Sequence, residues 1–265
     1  MNGSWWVILI GLILILIIGI AAVIIRQQRF VHVRSPTDGK ELEQMSTLAR
    51  ELVHEIRNPL NSISLNLQLL EEDLPNAQKD REDLGKRLRR IRGEVEHLDR
   101  ILTDFRRYAT LPSLTLETCD LTRLIEEVLD FSEPEAQRQS IQVIREIQEL
   151  SPIQLDRAQF KQALLNLTIN AHQAMEDGGK LTVRARALNG QIQIDVEDTG
   201  KGIDPNILNR IFDRFFSTKE NGTGVGLAIV KQVIESHGGS VKAKSQPNQG
   251  AIFSILLPVK TNVEA

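Results

Sequence analysis

This 265-residue chain is poor in cysteine: Cys119 is the only one. It can close no internal disulfide and offers no thiol cluster for a metal. Most of the chain therefore fits a reducing compartment, and Cys119 reads as a small packed residue. A basic surplus is also missing. Lys and Arg total 32 against 35 Asp and Glu, with a net charge of −3 and a pI near 6.0, which argues against nucleic acid as a partner. No internal repeat or long low-complexity tract is present, which sets repeat architectures aside.

One stretch lacks charge altogether. Trp5 to Ile25 carries no charged or strongly polar side chain, and about 20 such residues span a bilayer core of ~30 Å as a helix. Met1 to Ser4 lacks the basic residues that a signal peptide needs, and the apolar run is too long for one, so a retained anchor is expected. Arg26, Arg29 and Arg34 follow at once. By the positive-inside rule they place the C-terminal body in the cytoplasm, in a single-pass protein of the inner (plasma) membrane. Trp5 and Trp6 suit the outer interface, leaving residues 1–4 as a short extracytoplasmic tail. The span has no Gly-x-x-x-Gly pair to mark it as a dimerising helix.

Residues 26–40 form a linker with Ser35-Pro36 and Asp38-Gly39 as breakers. A helix is expected from about Glu41 to Glu72, with Leu42, Met45, Ala49, Leu52, Ile56, Leu60, Ile63, Leu67 and Leu70 as its apolar seam. Pro59 lies inside it and should kink it. A second helix is expected over about 79–109, with its seam on Leu84, Leu88, Ile91, Val95, Leu98, Leu102 and Phe105. A single hairpin cannot bury both seams well, whereas two hairpins make a four-helix bundle, so a homodimer follows. Beyond Pro112 the pattern turns to mixed α and β. Strands are expected at 114–118, 141–147, 153–155, 180–187, 191–197, 239–245 and 251–258, and helices at 121–138, 158–175 and 224–236.

Four clusters interrupt this plan. In Leu52 to Leu60, His54 stands roughly 200° round the helix from both Leu52 and Ile56, so it faces away from the seam. A neutral imidazole, with a usual pKa of about 6.5, is a nucleophile, and the adjacent Glu55 can take its proton. Alone, such a histidine is a solvated surface residue. Asn166 and Asn170 share one helix face, where amides can orient phosphate oxygens and coordinate Mg²⁺; alone they are two surface amides. Asp198 ends a strand before Gly200 and Gly202, where a carboxylate can read an exocyclic amine and glycines let a ring approach the backbone; alone this is a turn. Gly222-Thr223-Gly224-Val225-Gly226 opens a helix, whose N-terminus attracts phosphate; alone it is a surface loop. Its spacing is neither the Rossmann fingerprint nor the phosphate-loop lysine motif.

In order, the chain reads His-Glu-x-Arg-Asn-Pro-Leu, Asn-x-x-x-Asn-Ala, Asp-x-Gly-x-Gly-Ile, Phe-x-x-Phe-Phe-Ser-Thr-Lys and Gly-Thr-Gly-Val-Gly-Leu-Ala. Over roughly residues 41–260 this strongly resembles the sensor histidine kinases of two-component signalling, closest to the nitrogen-regulation-like subgroup with Gln173-Ala174 and a short lid. After the transmembrane helix expected at 5–25, the resemblance implies a dimerisation and phosphotransfer hairpin (41–111) and an α/β-sandwich ATP-binding domain (112–262) of the gyrase and Hsp90 type. It implies His54 as phosphoacceptor, Glu55 as base and Asn58 as the residue that positions water in dephosphorylation of the partner. Asn166 and Asn170 would hold Mg²⁺ and phosphates, Asn170 as metal ligand. Asp198 would bind the adenine amine beside Gly200 and Gly202. Phe212, Phe215 and Phe216 would support the lid, and Lys219 would reach the terminal phosphate. Gly222, Thr223, Gly224 and Gly226 would form the lid over ATP. The implied partner is a cognate response regulator. Many relatives carry a basic residue where this chain has Gln173, which reads as subgroup character. Two rivals are an ATPase machine of the same nucleotide fold and a non-catalytic membrane scaffold. The first has no need of the His54-Glu55 hairpin, and the second should have lost a nucleotide-site residue.

Overall fold

The structure is a computed structural model that describes residues 38–73, 81–109, 113–219 and 222–259. The expected span at 5–25 and most of its linker lie outside the described residues. Among those described, no helix is long and apolar enough to cross a membrane.

Two long helices come first: α1 (Asp38–Asp73) and α2 (Arg81–Ala109). α1 runs through Pro59 without a break, and Pro59 is itself buried. A cross-link joins the pair, from the Ser62 hydroxyl to the Glu94 carboxylate at 2.9 Å. Ile101 is the buried apolar side chain of α2, at 1% exposure, and it is not one of the expected seam residues.

The α/β body follows: β1 (Glu117–Cys119), α3 (Leu121–Arg138), β2 (Ile141–Ile147), β3 (Ile153–Leu155), α4 (Arg157–Ala174), β4 (Gly179–Leu188), β5 (Gln191–Asp198), α5 (Gly226–Ser236), β6 (Ser240–Ser245) and β7 (Ala251–Pro258). The five-stranded sheet has the order β2-β4-β5-β7-β6. β2 and β4 pair in parallel, with β3 and α4 between them in the chain, and the other pairs are antiparallel. β1 and β3 form a separate antiparallel ribbon.

Local chemistry explains the boundaries. The Asp120 side chain accepts from Arg123 N and the Asp156 side chain from Gln159 N, which caps α3 and α4 at their N-termini. Asn189 (φ 52°) and Gly190 (φ 76°) both take the left-handed region that a two-residue hairpin requires, so β4 turns tightly into β5. β7 alternates, burying Ala251, Phe253, Ile255 and Leu257. α3 buries Leu121, Leu124, Ile125, Val128 and Leu129, a stripe at helical spacing. These faces meet Phe160, Ala163 and Leu167 of α4 and Ile229, Val230 and Val233 of α5 in one core. Truncating fully buried Phe160 to Ala would cost about 3–5 kcal/mol.

Candidate active site

The polar face of α4 begins the site. Gln162, Asn166, Asn170 and Gln173 are spaced by four, four and three, hence stacked along one side of the helix. Asn166 is fixed at both ends: its Oδ1 accepts from Gln162 Nε2 at 3.0 Å, and its Nδ2 donates to the Gly226 carbonyl at 3.1 Å. Asn170 Oδ1 and Gln173 Oε1 both accept from the Lys219 ammonium, each at 2.7 Å. Burial and the neighbouring Lys201 charge push the Lys219 pKa down to about 8, against the pull of Asp198 and Glu176.

Asp198 closes β5 with 3% exposure. Its Oδ1 accepts from Gly200 N at 2.8 Å. Burial raises its pKa, while backbone hydrogen bonds from Gly200 and Ala251 and the Lys219 charge oppose that. The glycines after it pack closely against neighbouring backbone. A Cβ on Gly200 would strike the Ala174 carbonyl, and Gly202 (φ 67°) lies against the Gln246 carbonyl. Lys201 N donates to Ala174 O at 3.0 Å, which pins the loop to the end of α4.

The lid segment follows. Arg210 sits 4.4 Å over the Phe216 ring. Phe215 adopts φ 59°, uncommon for a bulky residue, and Gly224 (φ 66°) packs directly on its backbone. Val225 supplies no side-chain cap to α5, unlike the aspartates of α3 and α4. Its first N–H groups carry the positive end of the helix dipole.

A cavity of about 940 Å³ joins these parts, within the size range of ligand sites. Asn166, Asn170, Gly202, Phe216, Lys219, Gly222, Thr223, Gly224 and Gly226 line it, whereas Asp198 and Gly200 do not. Ile169, Ile207, Ile211 and Leu227 supply apolar wall.

The hairpin contributes Asp99, Arg100, Thr103 and Asp104 to the same cavity. The Thr223 hydroxyl donates to Asp104 Oδ2 at 2.5 Å. Arg214 lies 3.7 Å from Glu51 and 5.7 Å from the Tyr108 ring. His54 stands apart from the cavity, its side chain 72% exposed, with Nδ1 3.9 Å from Glu55 Oε1. Asn58 is exposed one turn further along.

Residues 44–114 match the His Kinase A (phospho-acceptor) domain, and residues 155–261 match the histidine kinase-, DNA gyrase B- and HSP90-like ATPase. The sensor histidine kinase ZraS of Salmonella typhimurium is 37% identical over 222 residues, which cover 83% of this chain and 47% of ZraS. The catalytic domain of histidine kinase ThkA is 30% identical with a TM-score of 0.51, over 54% of this chain and 97% of that domain. The chain belongs to the sensor histidine kinases of two-component signalling. It spans about half the length of the ZraS relatives it matches. ThkA solved in complex with the response regulator protein TrrA has a TM-score of 0.66 at 26% identity, over 83% of this chain and 64% of that one.

Among the described residues no cluster of three or more His, Cys, Asp or Glu side chains could hold a metal. Asn170 Oδ1 nevertheless already faces a cation, the Lys219 ammonium. Neutral amide oxygens suit Mg²⁺ only when phosphates complete its shell, so the site fits a metal that arrives with a nucleotide. Sequence reasoning missed Gln162, although its place four residues before Asn166 was legible. It also missed Asp104, for which no local signal exists, because the contact spans 119 residues of chain.

Proposed function

We propose that this chain is a membrane-anchored protein-histidine kinase that phosphorylates His54 from ATP and passes the phosphoryl group to an aspartate of a response regulator. What carries the reading is one conjunction: an exposed His54 with Glu55 beside it on a hairpin, and a cavity that gathers Asn170, Lys219 and the uncapped end of α5. The two family matches fall on these two regions.

Glu55 lies nearest Nδ1, so Nδ1 would lose its proton to Glu55 and Nε2 would attack. The Nε2 lone pair forms the bond to the γ-phosphorus. The bond from that phosphorus to the β–γ bridging oxygen breaks, and ADP leaves with the electron pair. Lys219 and the α5 N-terminus would receive phosphate charge, and Asp198 would read the adenine amine. Asn170, with Asn166 beside it, would hold Mg²⁺, which neutralises charge on the phosphates when bound. The phosphoryl group then moves from the His54 nitrogen to a carboxylate oxygen of the regulator. Asn58, exposed one turn after His54, would hold water for hydrolysis of that product. The ThkA–TrrA complex supports a regulator as partner.

Apolar side chains left exposed on α1 and α2 support a homodimer. Residues 5–25 would cross the inner membrane once, with the kinase domains in the cytoplasm.

The test is incubation of the chain with γ-labelled ATP and Mg²⁺. Label stable in base, lost in acid and absent from His54→Gln is the expected result. Comparable labelling of His54→Gln would place the phosphate elsewhere and overturn the assignment.

A further inference from the structure

We propose that Gln173 is a positioning residue: it parks the lid lysine, Lys219, on the oxygen that the divalent cation needs, so that Lys219 and the metal exchange places at Asn170. The proposal rests on the reading of the cavity as a Mg²⁺-nucleotide site and adds a resting state to it.

An ammonium has three donors and no acceptor. Two of the Lys219 donors are spent on Asn170 Oδ1 and Gln173 Oε1, at 2.7 Å each. These residues are three apart on α4, so both carbonyl groups face the same way. Lys219 has no ion-pair partner among the described residues; neutral amide dipoles hold it in a partly buried place. Such contacts fix a charge without neutralising it, so they can be exchanged for phosphate oxygens. A metal on Asn170 Oδ1 would occupy the ground where the ammonium sits. Two cations at that separation repel strongly in a partly dry site. Lys219 must therefore leave as the metal arrives, and the phosphates that accompany the metal are where its charge is best received.

The backbone links this exchange to the lid. Lys219 N donates to Ser217 Oγ at 3.1 Å, and Gly222 N donates to Lys219 O at 3.1 Å. Moving Lys219 thus pulls on Gly222, and with it on Thr223, at the cavity wall. The identity of residue 173 matters to this device. A basic side chain there would repel Lys219, whereas glutamine receives it.

The experiment is amide hydrogen exchange on the full chain in detergent, with and without Mg²⁺ and a non-hydrolysable ATP analogue, alongside affinity for that analogue. Gln173→Leu removes the acceptor at similar bulk. Residues 217–219 and 222–224 of this variant should exchange about threefold or more faster in the nucleotide-free protein, with no difference once the analogue is bound. Gln173→Glu keeps an acceptor and adds charge. It should slow the same amides and weaken Mg²⁺-analogue binding by about threefold or more, because Lys219 is held harder. Equal lid exchange in parent and Gln173→Leu overturns the parking, as does acceleration that persists with analogue bound. If the parent bound no analogue, the nucleotide reading itself would fall, an outcome distinct from a binding-competent parent whose lid ignores residue 173.

Discussion

The hairpin and the α/β body solve burial differently. In the body, Leu155, Phe160, Leu167, Leu181 and Ile194 are fully enclosed. On α2, Leu88, Val95 and Leu102 remain 58%, 53% and 44% exposed, at seven-residue spacing along one stripe. Val53, Leu65 and Leu67 of α1 are exposed as well. The body closes its core within one chain, whereas the hairpin leaves apolar side chains exposed. In a complete core the informative residues are the polar ones that break the pattern, such as Asp198 and the Asn166–Asn170 pair. In the hairpin they are the apolar side chains that nothing among the described residues covers.

The largest effect should come from charging that stripe. Leu88→Glu, Val95→Glu and Leu102→Glu together should yield a monomer by sedimentation, since each buried aliphatic contributes about 1.5–3 kcal/mol. The thermal transition of the body should hardly move. A dimer that persists would mean that the segment before residue 38 or another surface joins the copies.

The next effect falls on the body alone. Asn170→Asp gives Lys219 a carboxylate to pair with and sets a negative charge against the phosphates. Mg²⁺-ATP binding by calorimetry should weaken by about 1.5–3 kcal/mol, with dimer mass unchanged. Unaltered affinity would remove Asn170 from the site.

Asn58→Ala sharpens the comparison from the hairpin side. It leaves the nucleophile and its neighbour Glu55 in place, so labelling of His54 should persist. Dephosphorylation of the regulator should fall at least about tenfold, roughly 1.4 kcal/mol of barrier. Equal loss of both activities together with a lower melting temperature would reduce Asn58 to a helix-stabilising role beside Pro59.

How far was this legible in advance? Where one local interaction sets a boundary, the sequence carries it. α3 begins after its capping Asp120, and β3 and β7 begin and end where their alternation does. Long-range contacts shift the rest. A strand was expected at 114–118, but Thr115 N donates to the Asp156 carboxylate at 3.0 Å, and the ribbon pairs only from Glu117. The helix expected from Gly224 starts at Gly226, because Gly224 is spent on a left-handed turn against Phe215. The seam of α2 was read as a single face, yet Ile101 is buried while Leu88, Val95 and Leu102 are not. In the site, the α4 face and the lid residues were visible as motifs. Their pairing through Lys219 and the hairpin wall with Asp104 were not, since each joins distant parts of the chain.

The smallest effect concerns pH. Burial raises the Asp198 pKa above its ordinary 3.8. In the window just above that value the folded protein holds a proton that the unfolded chain has released. The contribution of Asp198 to stability is therefore greatest in acid and is lost as pH rises through its folded-state pKa. Melting temperatures of the parent and Asp198→Asn, compared from acid to neutral pH, should show the parent's relative stability declining. A difference that stays constant with pH would mean that backbone donors to Asp198 offset its burial.

His54 stands on the surface of α1, while the nucleotide groups line a cavity whose motifs lie in the α/β body. If His54 is the acceptor, the catalytic domain meets its substrate as a tethered passenger rather than as a diffusing molecule. Its supply is set by the reach of the connecting chain, an effective concentration that dilution does not change. Labelling within a stable dimer should then be first order, with a rate constant indifferent to protein concentration. The surroundings of His54 need supply little affinity for the catalytic domain, which leaves that face of the helix free to be shaped by the regulator.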